Sequence, residues 1–137
     1  MSQNTIQLTV AVPDRQVLDA EVTSVQFPLT TGYIGILPGH APLLAEVGIG
    51  VLTYESSNEA ERHLVIDGGA VEVLPDKVRI LAERAERAEE IDEERARQAL
   101  ERVDERLQLS SLEIDVERAQ ETIARARARI AASKGAG

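Results

Sequence analysis

The chain has 137 residues, with 24 acidic and 15 basic side chains and a formal net charge of −9, a balance that argues against a nucleic-acid groove. With no Cys and a 2% aromatic share, it has no disulfide frame, thiolate metal site, cysteine nucleophile or stacking platform for bases. The opening MSQNTIQLTVAVP lacks a basic n-region, and no run reaches the roughly 18 apolar residues of a membrane span, so the expectation is a soluble, cytosol-facing chain.

Composition divides the chain in two. Every Gly except Gly135 and Gly137 lies at or before Gly69, and every Pro at or before Pro75. From about Glu83 onward the sequence turns to Ala, Glu, Arg and Leu. This switch predicts a β-rich part followed by a helical part, with a boundary near residue 84: an antiparallel β-sandwich over 1–84 and an antiparallel α-helical hairpin over 85–137.

The first part alternates with period 2. Ile6, Leu8, Val10 and Val12 share one strand face, with Gln7 and Thr9 opposite, and Val71 and Val73 flank Glu72 in the same way. Turn signals recur at Pro13-Asp14, Thr31-Gly32, Pro38-Gly39, Ser56-Ser57-Asn58, Gly68-Gly69 and Pro75-Asp76, the pattern of many short strands. Gly68-Gly69, between LVID and AVEV, reads as a two-residue hairpin loop, because primed turns need positive φ.

The second part changes period. Ala96, Leu100, Val103 and Leu107 form one helical seam, and Val116, Ala119, Ile123, Ala126 and Ile130 form another, with charged residues around the remaining circumference. Asp92 is placed to cap the first helix, Ser110-Ser111 breaks the pair, and Asp115 opens the second. Seams this thin, several positions being Ala, bury little apolar area. A piece of this size lies near the lower limit of independent stability, so the hairpin is expected to dock on the sandwich or a partner, or to move between such positions.

Charge is patterned as well. Residues 83–117 are strongly acidic, whereas beyond them Arg118, Arg125, Arg127, Arg129 and Lys134 oppose Glu121 alone. Part of this pattern complements helix dipoles, at about 0.3–1 kcal/mol per exposed charge. The remaining cations either stay solvated or form an end for an acidic partner or phosphate.

The run from Gly32 to Leu44, GYIGILPGHAPLL, resembles the signature segment of the epsilon subunit family of bacterial F-type ATP synthases. Further matches follow in order at Gly48-Ile49-Gly50, at Asp67 to Val73 and at Val78 to Glu83, so the resemblance covers nearly the whole chain. It implies a non-catalytic rotor subunit at the foot of the central stalk, peripheral on the cytoplasmic face of the bacterial plasma membrane, coupling ion-driven rotation to ATP synthesis. The implied partners are the gamma subunit and the c ring, through the 32–43 loop and the sandwich, and the catalytic alpha and beta subunits, through the basic C-terminal helix. In that loop three Gly and two Pro fix an exposed path, while Ile34, Ile36 and Leu37 are expected to supply an apolar footing. His40 is either an interface hydrogen-bonding group or a turn histidine satisfied locally. Tyr33 departs from relatives that often carry an acidic residue there; an aromatic can still anchor an interface.

The resemblance extends to the hairpin. Ile91-Asp92-Glu93-Glu94-Arg95-Ala96 fits [Ile/Leu]-Asp-x-x-Arg-Ala, part of an ATP site in some bacterial epsilon subunits. Glu86 precedes it at the family's interval, and Arg125 and Arg129 match the family's paired arginines. The implied regulatory ATP site is Glu86, Ile91, Asp92, Arg95, Ala96, Arg125 and Arg129. Guanidinium groups four residues apart share a helix face and can grip phosphate oxygens, while the acidic residues Glu89, Glu90, Glu93 and Glu94 oppose a polyphosphate. No Walker A sequence is present, so this would be sensing without hydrolysis. A ligand at 100 times its dissociation constant stabilises the bound form by about 2.7 kcal/mol, enough to reset a two-state hairpin.

Two other classes compete. A freestanding adaptor would present a coiled-coil hairpin on a sandwich to an unrelated partner. An enzyme is less favoured: His40 and His63 are the only histidines, and His63 sits in the strand-like run Arg62 to Ile66, where a packed or edge histidine is commoner than a base.

Overall fold

The computed structural model describes residues 4–57, 59–88, 93–109 and 116–133. Eight strands come first: β1 (Ile6–Val12), β2 (Arg15–Val22), β3 (Ser24–Leu29), β4 (Gly32–Ile36), β5 (Leu43–Glu46), β6 (Ile49–Ser56), β7 (Glu59–Leu74) and β8 (Lys77–Arg87). Two helices follow, α1 (Glu93–Leu109) and α2 (Val116–Ser133). Strands then helices is the order the composition switch predicts. Strand β8 runs to Arg87, past residue 84 and into the Ala-Glu-Arg stretch.

The strands pair in the order β2-β1-β8-β7-β6-β3-β4, with β5 added to the far half of β7. All pairings between named strands are antiparallel except β1 with β8. The path folds over into a sandwich whose inner faces share one core, in which Ile6, Leu8 and Val10 of β1 meet Phe27, Leu52, Leu64, Ile66, Val71, Val73, Val78 and Ile80. The expected alternation is realised: Ile6, Leu8, Val10, Val71 and Val73 are buried, and Val12 is half-buried at its strand end.

Gly68-Gly69 is not a hairpin loop. Both glycines lie inside the continuous 16-residue strand β7, whose register with β8 runs from Leu64↔Arg87 to Leu74↔Lys77. Positive φ is present, at 71° and 113°, but it serves a bend. The first half of β7 pairs with β6 and the second half with β5, so the strand crosses between layers at the glycines. A Cβ on Gly69 would sit 2.0 Å from the carbonyl oxygen of Leu81, so backbone approach requires glycine there. Reversals fall instead at Pro13-Asp14, Thr30-Thr31 and Pro75-Asp76, with Ser57 in the turn between β6 and β7.

The hairpin docks, as its thin seams require. Helix α1 packs on α2, and α2 packs across β6 and β7. In the seams Ala96 and Ala126 are buried and Leu100, Ile123 and Ile130 half-buried. Asp92 and Ser110-Ser111 lie outside the described residues, as does Asp115.

Candidate functional site

Strand parity fixes which side chains meet α2. On β7, Leu64 and Ile66 point into the sandwich core, which turns His63, Val65 and Asp67 to the outer face. Val65 and Asp67 stand opposite Glu86 and Arg84 of β8 in the ladder. A second, small apolar cluster forms on this face from Val51 and Val65 below and Ala128 and Ala132 above, flanked by Ala88 and Ala131. Alanine lets the helix backbone approach the strands closely. It also brings the long arginines on the same helix face down to the sheet.

Two ion pairs flank the alanines. Arg125 Nε donates to Asp67 Oδ2 at 2.5 Å, with Asp67 9% exposed and Arg125 28%. One turn later, Arg129 forms a fork on Glu86, Nε to Oε2 at 2.8 Å and Nη2 to Oε1 at 3.1 Å. Spacing of four places both arginines on one face, and both reach the sandwich. Arg127, between them, is exposed.

These pairs line a cleft of about 410 Å³ between α2, β8 and the β1–β2 turn. Arg15 and Arg84 add two cations to its wall and Asp14 and Glu83 two anions, so the lining charges balance. A neighbouring cleft of about 620 Å³ runs along Thr30, Gly48 and Glu121 and shares Asp67 and Arg125 with the first. The Asp67–Arg125 pair therefore borders both.

Of the expected site residues, the structure brings Glu86, Arg125 and Arg129 together. Ala96 is fully buried and Arg95 exposed on α1, and neither lines the two clefts. Ile91 and Asp92 lie outside the described residues, as do Glu89 and Glu90. Sequence reasoning assigned no role to Asp67. Its signal was parity: Leu64 and Ile66 point inward, so the apolar Val65 beside Asp67 marks an outer face that is also covered.

The loop surface differs from its expectation in one residue. Ile36 is 1% exposed and belongs to the core, so it supplies no footing. Leu37 at 64% and Leu44 at 78% do present apolar surface, with Tyr33 at 55% and Ile34 half-buried. The Tyr33 hydroxyl accepts a hydrogen bond from the Val51 backbone N–H at 3.0 Å. Its ring end occupies the space where a Cβ of residue 50 would stand, which explains Gly50. His40 Nδ1 lies 2.7 Å from the Ala41 carbonyl oxygen, so its partner is local. His63 is packed at 8% exposure, with Nδ1 3.0 Å from Thr53 Oγ1.

Fold and site together define a two-part architecture: a sandwich with an exposed apolar loop, carrying a helical hairpin that packs on it through alanines and two ion pairs. Residues 5–88 match the family described as ATP synthase, Delta/Epsilon chain, beta-sandwich domain, and residues 89–134 match its long alpha-helix domain. The chain belongs to the ATP synthase delta/epsilon chain family, and by that membership it is a non-catalytic subunit. It is 48% identical to the ATP synthase epsilon chain of Solibacter usitatus, over 93% of this chain and 95% of that one. Identity to the epsilon chain of Moorella thermoacetica is 45%, over 93% and 96%. Among solved structures it resembles a chain of the Euglena gracilis mitochondrial ATP synthase, in an OSCP/F1/c-ring assembly, with TM-score 0.75, 28% identity and coverage of 90% and 76%. Among the described residues no helix is long and apolar enough to cross a membrane.

Proposed function

We propose that the chain works as the epsilon subunit in the central stalk of an F-type ATP synthase, with the sandwich as coupling body and the hairpin as a mobile brake on ATP hydrolysis. The exposed Tyr33, Leu37 and Leu44 supply a contact surface for the gamma subunit and the c ring, on the cytoplasmic face of a bacterial plasma membrane. The observation that carries the regulatory reading is the thin seat of α2. Among the described residues, a small apolar cluster of Val51, Val65, Ala128 and Ala132, flanked by Ala88 and Ala131, and two ion pairs hold it, whereas the sandwich has its own large core. Such a seat can be left without unfolding the body.

In the docked state Arg125 and Arg129 face the cleft. Its volume of about 410 Å³ falls within the roughly 300–1,000 Å³ of ligand sites. ATP bound there would be held by those guanidinium groups on phosphate oxygens, with Glu86, Ile91, Asp92, Arg95 and Ala96 as the remaining site residues implied by resemblance. In the extended state the cationic face of α2 would meet acidic surface of the catalytic alpha and beta subunits, where partly dry Arg–carboxylate pairs outweigh the ~0–1 kcal/mol of exposed ones.

The test is deletion of residues 89–137, which leaves β8 whole. The assembled enzyme should hydrolyse ATP several-fold faster with unchanged subunit composition. Unchanged hydrolysis would overturn the brake, and loss of gamma from the purified complex would overturn the division of labour. A freestanding adaptor predicts no stable complex with gamma at all.

A further inference from the structure

The two arginines expected to grip phosphate already have anionic partners inside the chain. The Glu86 fork on Arg129 involves one residue of the proposed site, at 39% exposure. Asp67 is different: it comes from β7, was not among the expected site residues, and is held at 9% exposure with Arg125 as its cation. A phosphate oxygen and a carboxylate oxygen ask the same of a guanidinium, N–H donors at hydrogen-bond distance from their acceptor lone pairs. The cleft wall is charge-balanced, so it has no surplus of cations to receive a polyphosphate while Asp67 and Glu86 keep their partners.

We infer that Asp67 is a tethered carboxylate occupying the phosphate position on Arg125, which latches the hairpin to the sandwich without nucleotide and competes with any phosphate ligand for that arginine. The competition half rests on the nucleotide-sensing reading; the latch half does not. The direction follows from linkage. Removing the Asp67 carboxylate destabilises the ligand-free docked state but not a docked state in which phosphate holds Arg125. Apparent ATP affinity therefore rises, by at most the factor by which docking is lost. The site is tuned against weak or singly charged phosphates, because each must displace an anion that cannot diffuse away.

The experiment is hydrogen exchange of α2 amides in the full-length chain without nucleotide, followed by ATP titration. Wild type should show α2 protected. Asp67→Asn and Arg125→Gln should each exchange about tenfold faster, the scale of a hydrogen bond to a charged group, with β-strand amides unchanged. The double variant should be no faster than either single one. Asp67→Asn should also bind ATP severalfold more tightly. Wild-type exchange rates in Asp67→Asn, or effects that multiply in the double variant, would overturn the latch. Should strand exchange show Asp67→Asn to be misfolded, Arg125→Gln alone decides: unchanged protection of α2 overturns the latch. Weaker ATP binding by Asp67→Asn would overturn the competition. No ATP binding by either protein, with exchange as expected, would overturn the nucleotide reading and support the latch.

Discussion

Gly69 shows how one residue can be read correctly in conformation and wrongly in purpose. The sequence announces positive φ, which the structure has at 113°, but a local signal cannot tell a loop from a bend inside a strand. The difference lies in what is nearby, a Leu81 carbonyl that leaves no room for a Cβ. Gly69→Ala should cost at least about 3 kcal/mol, strain and overlap together, seen as a lower urea midpoint with unchanged slope. Gly35→Ala, with nothing within 4 Å of its added Cβ, should stay within about 0.5 kcal/mol. Tyr33 carries a similar lesson. Its expected role lies at an interface, yet its hydroxyl serves the fold by accepting the Val51 N–H. Tyr33→Phe should lose about 1 kcal/mol of stability, measured on the isolated chain where no partner contributes.

At the scale of elements, the strands were legible wherever one face is buried, as in β1 and the second half of β7. The first half of β7 was legible as a strand from Arg62 to Ile66, but not in its faces, because Val65 packs against α2 while Leu64 and Ile66 face the core. Burial on both sides erases the alternation. Helix α2 was legible in its seam and hidden on its docking face. Ala128 and Ala132 pack there, but in a helix rich in alanine they carry little hydrophobic signal. The paired arginines were found from the resemblance and their spacing. Glu86, the partner of Arg129, came with that resemblance; Asp67, the partner of Arg125, could come only from the β7 topology. Ala128→Glu would place a charge among Val51 and Val65 and beside Glu86. It should release α2 from the sandwich and speed tryptic cleavage at the α2 arginines by at least about tenfold, with the melting of the sandwich unchanged. Slower or equal cleavage would show that the alanine face is not the seat.

Among the described residues the molecule has two cores of unequal size, one inside the sandwich and one between the sandwich and α2. On the proposed function the first is the body that stays whole, and the second is the contact that opens. A net charge of −9 says little about this arrangement, because the acidic excess of the chain coexists with a cationic helix face that finds carboxylates on the sandwich when docked. The central claim is that docking of α2 releases the brake on hydrolysis. The chain contains no cysteine of its own, so a disulfide between Val51→Cys and Ala128→Cys, two positions of one buried cluster, would fix the docked state without competing thiols. In the assembled enzyme the oxidised variant should hydrolyse ATP as fast as the enzyme lacking residues 89–137, and reductant should restore the slower rate. Hydrolysis that stays equally slow in the oxidised and reduced variant would contradict the account.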